Sequence, residues 1–212
     1  MARVATRRRI TPEERDQFRQ ELIDIARRIF LEEGYAAVTI RRVTSEAGVT
    51  AMAFYWYFEC KDALLTVIWD ELIRESAEVC MQAARTEPTN QQALRYFTAF
   101  IDFWLGQRAH FRFIFLNDSH TTDFVQLRRE LFTMGGVKQH FDQYDSLLAP
   151  LFTGHADAAE RIEQLRTLSM YRAFGFLYCV VCIYDHGPED TAPQRSLIPD
   201  EMPRRLNHWC TH

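Results

Sequence analysis

The side chains with atoms suited to metal or redox chemistry lie towards the C-terminal end of the sequence. Cys179-Val180-Val181-Cys182 is followed by His186, and His208-Trp209-Cys210-Thr211-His212 lies further on. Thiolates and imidazoles are the ligands zinc prefers, and paired thiols can also respond to oxidation. A single C-x-x-C in an apolar stretch lacks the second pair of a tetrahedral site, and free cysteine is commonly a small core hydrophobe. Metal or redox sensing through Cys179 and Cys182 is therefore the alternative reading, not the main one. His155-Ala156-Asp157 offers part of a metal triad without an assignable second histidine. No G-x-S-x-G, H-E-x-x-H, phosphate-binding loop or dinucleotide fingerprint occurs. No enzymatic activity, cofactor or resident metal is expected.

A second chemistry is the binding of phosphate by arginine. Arg3, Arg7, Arg8 and Arg9 precede any acidic residue, although the whole chain carries a net charge of -4. Residues 1–65 hold eleven basic and ten acidic side chains, so the excess of acid lies entirely beyond them. A basic tip on an acidic body suits a nucleic-acid reader joined to a separate domain, and also suits a plain solvated tail.

The elements that must position these groups are helices. Thr11-Pro12-Glu13-Glu14 reads as a capping box, and Phe18, Leu22, Ile25, Ile29 and Phe30 recur at helical spacing up to Gly34. Thr39 can cap a short helix bearing Ile40, Val43 and Ala47, and Gly48-Val49 makes a turn. Thr50 can cap a second helix running towards Phe58. A longer helix is predicted from Lys61 to about Arg85, with the break at Thr86-Glu87-Pro88-Thr89. Further helices are predicted over 90–107, 110–116 and 122–148, the last interrupted at Gly135-Gly136. Asp157 to Glu160 reads as another capping box, opening a helix to about Asp185, and a short terminal helix spans 200–209. The fold class is all-α, with a helix-turn-helix domain over 1–60 and a larger helical bundle over 61–212.

The stretch from Thr39 to Phe58 carries the function. Two short helices around a tight glycine turn, packed on a third, present the second helix to a groove wide enough to accept it. Phe54 and Phe58 set its inner face, leaving Thr50, Ala51, Met52, Tyr55 and Trp56 outside. An ordinary helical hairpin has the same spacing, but aromatic exposure on so small a domain calls for a partner. Arg7, Arg8 and Arg9 lie where an arm could follow an adjacent minor groove.

Residues Ile25 to Leu65 closely resemble the signature of the tetracycline-repressor (TetR) family of bacterial regulators. Ala26, Phe30, Gly34, Tyr35, Thr39, Ala47-Gly48-Val49, Tyr55, Phe58, Lys61 and Leu64 stand where that pattern wants them. The resemblance implies that Thr39 and Arg41 lie at the groove edge and that Thr50, Ala51, Met52 and Tyr55 face the bases. It implies phosphate contacts for Tyr57 and Lys61. The sequence departs from the pattern at Thr44, where alanine is usual, and over Thr50 to Ala53, which lack the usual basic or glycine residues. Short apolar side chains there would read thymine methyls, pointing to an A/T-bearing half-site.

Beyond residue 85 lie nineteen of the 28 aromatic residues. Plain core packing accounts for any one of them, but together they suit a pocket for an apolar or aromatic effector. Phe100, Trp104, Phe115, Tyr144, Phe174 and Tyr178 are its candidate walls, with His110, His140 and Tyr171 to orient the ligand. The helix opening at Ala158 is apolar nearly all round towards its end, as a dimer interface or a central helix requires. With Met202, Leu206 and Trp209 it could form a four-helix interface across a two-fold axis, which the resemblance also implies. The expected partners are a palindromic double-stranded DNA operator, a small-molecule effector and a second copy of the chain. Repression rather than activation follows from the resemblance alone.

In this reading, effector binding tilts the helix that begins at Lys61 and spoils the spacing of the two reading helices. A non-specific architectural DNA binder is a further class. Five scattered cysteines, no secretory pattern and no apolar run of ~20 residues suggest a cytoplasmic protein with no membrane span.

Overall fold

A computed structural model describes residues 11–116 and 133–183, with backbone alone at Phe113 and Leu116. All regular elements among them are helical. The chain divides into two units, Met1–Ile68 and Trp69–His212. The division falls inside a helix, with the buried Leu64, Leu65 and Ile68 in the first unit.

The first unit contains α1 (Pro12–Glu33), α2 (Ile40–Glu46), α3 (Ala51–Phe54) and the opening turns of α4 (Lys61–Ala84). The capping box at Thr11 forms. Its hydroxyl accepts from the Glu14 amide at 3.2 Å, and its own amide donates to the Glu14 carboxylate at 2.9 Å. Leu22, Ile23, Ala26, Ile29 and Phe30 on α1 meet the core that Val38, Val43, Phe54 and Phe58 complete. Each such side chain contributes roughly 1.5–3 kcal/mol by leaving water. Ile25, placed on this stripe by periodicity, is only half-buried. Between α2 and α3 the chain reverses through Gly48 at φ +67°, a left-handed conformation that side chains with a Cβ resist. Thr44, where the family pattern has alanine, is buried with its hydroxyl donating to the Ile40 carbonyl at 2.8 Å.

The second unit contains the rest of α4, then α5 (Thr89–Gly106), the short α6 (Arg108–Phe111), α7 (Gly135–Leu148) and α8 (Ala158–Tyr178). π-helical turns follow α6 at Arg112–Leu116 and α8 at Cys179–Ile183. Arg112 Nη2 donates to the Val181 carbonyl at 2.6 Å and ties one π turn to the other.

Three local expectations need correction. The α-helix expected from Thr50 to Phe58 is only Ala51–Phe54, continued by a turn, and Thr50 makes no side-chain cap. Asp157 does not cap α8: its carboxylate accepts from Arg161 Nε at 2.9 Å instead. The helix expected to reach Asp185 is α-helical to Tyr178 and π-helical to Ile183.

The interruption expected at Gly135-Gly136 is present: α7 begins at Gly135, after an extended Met134. A Cβ on Gly136 would lie 2.9 Å from the Asp70 carbonyl oxygen and 3.0 Å from the Arg74 amide nitrogen. Close approach to α4 is what the second glycine serves besides. The Gly136 amide donates to Asp70 Oδ1 at 2.6 Å, so a carboxylate from another helix satisfies an open N–H of the first turn. The N-terminal arm, the first part of the 122–148 helix, His186 and the terminal helix lie outside the described residues.

Candidate functional site

The reader is built from α2, the Gly48 turn and α3. Thr39 caps α2, its hydroxyl accepting from the Arg42 amide at 3.2 Å. Arg42 is held by Glu33 at 2.7 Å and by Glu46 at 3.2 Å, which raises its already high pKa further. Neighbouring Arg41 is exposed. On the inner side of α3 and its following turn, Phe54 and Phe58 pack with ring centroids 5.5 Å apart. On the outer side Thr50 and Ala51 are exposed, as are Met52 (66%), Tyr55 (52%) and Trp56 (60%). The outward set expected from the sequence is thus the set the backbone presents. Tyr57 is half-buried with its ring on Phe18. Lys61 is half-buried, with Nζ 3.5 Å from the Tyr35 ring centre. Loss of solvent lowers its pKa. Arg7, Arg8 and Arg9 lie outside the described residues.

A separate cavity of about 80 Å³ lies within the second unit, walled by α4, α5, α7, α8 and the first π turn. Phe100, Trp104, Phe115, His140, Tyr144 and Phe174, six of the nine residues singled out for a ligand, line it. Phe115 stands nearly perpendicular to both Trp104 and Phe174, at centroid distances of 5.1 and 5.0 Å. The other three candidates are elsewhere. His110 pairs with Gln107 at 2.8 Å, while Tyr171 and Tyr178 are 71% and 47% exposed on α8. A helix that is apolar nearly all round could not show from its sequence which aromatics turn inward.

His140 is placed differently from expectation. Its Nε2 meets Ser76 Oγ of α4 at 2.6 Å and its Nδ1 meets Tyr96 Oη of α5 at 2.7 Å. Tyr96 Oη in turn donates to Gln143 at 3.0 Å. Burial pushes the His140 pKa down to about 4, so the ring is neutral near pH 7. Sequence reasoning missed Ser76, Tyr96 and Gln143. Tyr96 lies four residues before Phe100 and was findable as a member of the α5 stripe, whereas Ser76 carries no such signal.

Cys179 and Cys182 are free, half-buried thiols in the second π turn. Among the described residues no three His, Cys, Asp or Glu side chains are grouped so as to hold a metal ion. Nor is any helix there long and apolar enough to cross a membrane.

Comparison with known proteins bears on the first unit most directly. Residues 22–68 match the family described as bacterial regulatory proteins, tetR family. Those residues thus resemble the N-terminal domain of that family. The HTH-type transcriptional regulator AcrR of Shigella flexneri is 36% identical over 62 residues, 29% of either chain. The HTH-type transcriptional activator FasR of Mycolicibacterium smegmatis is 30% identical over 129 residues, 60% of this chain and 59% of FasR. The chain thus spans less than two thirds of these relatives' length in the matches. FadR of Bacillus subtilis, solved in complex with stearoyl-CoA, has the same fold over 88% of this chain and 96% of its own. That pair has a TM-score of 0.57 and 14% identity. A putative tetR-family regulator from Syntrophomonas wolfei covers 93% and 97%, with a TM-score of 0.58 and 10% identity. The fold shared with these solved structures therefore extends well beyond residues 22–68.

Proposed function

We propose that the protein is a ligand-responsive, sequence-specific DNA-binding transcriptional regulator that works as a homodimer on a palindromic operator. The carrying observation is the exposed edge of Met52, Tyr55 and Trp56 on a helix-turn-helix whose opposite face is fully buried. Apolar and aromatic surface of that kind costs free energy in water and is retained where a partner covers it. Thr50, Ala51, Met52 and Tyr55 read bases, Thr39 and Arg41 contact the groove edge, and Tyr57 and Lys61 steady phosphates. Trp56 packs beside the backbone, and the Arg7–Arg9 arm follows the minor groove.

The second unit supplies the partner copy and the effector site. Along α8, Leu168, Tyr171, Gly175 and Tyr178 recur at alternating spacings of three and four, the seam of a paired helix. Tyr171 and Tyr178 are exposed, and among the described residues nothing approaches the Gly175 Cβ position within 4 Å. A second α8 would cover this face. The aromatic cavity holds a small hydrophobic effector, a role supported by the acyl-CoA complex of FadR. Because α4 is one continuous helix from Lys61 to Ala84, displacement at the cavity wall can reach the reader. Release of DNA by the effector needs a coupling of only ~1–3 kcal/mol, a 5–150-fold change in affinity. Operator occupancy most simply represses, and the protein acts in the cytoplasm.

The test is selection from a random duplex library by the purified protein at physiological salt. The expected result is an enriched palindrome with half-sites ~34 Å or a multiple apart. Uniform recovery of unrelated duplexes, with Tyr55→Ala behaving as wild type, would overturn the proposal and leave a non-specific binder.

A further inference from the structure

We infer that the cavity of the second unit takes an uncharged, hydrocarbon-like molecule that forms no hydrogen bond with its wall. Only the naming of that occupant as an effector rests on the function proposed above. Among the described residues five polar side chains border the space (Tyr96, His140, Tyr144, Arg166 and Ser169), and would suggest recognition of a polar ligand. All five have partners within the protein.

A neutral imidazole offers one N–H and one lone pair, and Tyr96 and Ser76 take both nitrogens of His140. Tyr96 Oη is shared between His140 and Gln143. Tyr144 Oη and Ser169 Oγ bond each other at 3.1 Å. Arg166 pairs with Asp145 and lies 5.2 Å from the centre of the Phe141 ring. Trp104 Nε1 has no hydrogen-bond partner, but its accessible surface is under 1 Å², so it does not open onto the space. What faces the cavity is carbon, from Phe100, Phe115, Val137, Met170, Ala173 and Phe174.

A hydroxyl or carboxylate entering this space would meet carbon and leave its water for no new partner, unless Arg166, Tyr144 or Ser169 turned away from its present bond to face it. The selectivity is therefore for shape and against polarity. Size narrows the class further. An engineered apolar cavity of about 150 Å³ accepts benzene, so an occupant of that size needs this wall to yield. Met170, an unbranched thioether, yields most readily. Small unionised aromatics and short alkyl groups fit; molecules whose charged end must enter do not.

Calorimetry of the full chain with toluene, phenol and benzoate tests this. Toluene is expected to bind, phenol roughly 10–100-fold more weakly, and benzoate not measurably. The double variant Tyr144→Phe, Ser169→Ala should keep toluene affinity within about twofold, since the ligand uses neither hydroxyl. Ala173→Leu should abolish toluene binding by filling the space, with cooperative unfolding showing that the variant is folded. Phenol or benzoate binding as tightly as toluene, or no toluene binding at all, overturns the inference. Measuring affinity for the selected operator in the same samples separates the two readings. Toluene bound without any change in DNA affinity would remove the regulatory role and leave the site. Release of DNA by a polar compound that toluene cannot imitate would remove the site and leave the regulator.

Discussion

Replacing Gly136 by alanine should destabilise the second unit, while the same change one residue earlier should not. A Cβ at Gly136 meets backbone of α4, at 2.9 Å from the Asp70 carbonyl oxygen and 3.0 Å from the Arg74 nitrogen. Ordinary contacts need ~3.5 Å or more, so α7 must retreat by roughly 0.5–1 Å. Such overpacking costs ~1–3 kcal/mol. Retreat also stretches the 2.6 Å bond from the Gly136 amide to Asp70, a contact to a charged group worth ~1.5–3 kcal/mol if wholly lost. Against this, alanine restrains the unfolded chain by ~0.4–1 kcal/mol. The net expectation for Gly136→Ala is a loss of about 1–3 kcal/mol, or ~2–4 °C in Tm per kcal/mol. At Gly135 a Cβ meets only the guanidinium of Arg74, the far end of a half-exposed side chain that can swing aside. Its surface pair with Asp70 is worth little, so Gly135→Ala should lie within about 0.5 kcal/mol of wild type. Urea unfolding followed by circular dichroism reads both. Equal midpoints for the two variants, or a Gly136→Ala protein as stable as wild type, would refute the close-approach argument.

The buried His140 predicts an acid limb. Its folded pKa, near 4, lies below the unfolded value of about 6.5. The stability that its neutral form contributes is complete above about pH 6.5 and is lost as pH falls towards 4. That loss is up to ~1.4 kcal/mol per pH unit, ~3 kcal/mol in all. His140→Gln should flatten this limb in denaturation midpoints taken from pH 7 to 4.5, and an unchanged slope would exclude His140 as its source. Thr44→Ala, which restores the family's usual residue, should shift stability by no more than about 0.5 kcal/mol. The hydroxyl it removes bonds only carbonyls of its own helix, and helix propensity favours alanine. A loss above 2 kcal/mol in the same unfolding assay would show that the hydroxyl has a further role. Lys61→Ala should weaken binding to all duplexes alike and lower the salt slope by about one, whereas Tyr55→Ala should weaken the selected palindrome more than random DNA. Competition binding across a salt series distinguishes the two patterns.

The helix-turn-helix was largely legible in the sequence because most of what marks it is local, although the second helix is shorter than expected. The Thr11 box, the Thr39 cap, the Gly48 turn and the Phe54–Phe58 pair act within a few residues of one another, so spacing and side-chain type suffice. The aromatic stripe of α5 was legible for the same reason, and Phe100 and Trp104 do line the cavity. Where several local partners compete, sequence misled: Asp157 could cap α8 or pair with Arg161, and it pairs. Only the tertiary structure decided which polar groups are spent. His140 looked available for a ligand until folding brought Ser76, 64 residues away, and Tyr96, 44 residues away, onto its two nitrogens. Gly135-Gly136 marked the break in sequence, but only folding showed that α4 lies against Gly136. Helix type follows from short-range torsional preference and periodic burial, which one strand of text contains. Which side chains meet across helices depends on crossing points set by the packing of the whole unit, and no local pattern encodes those.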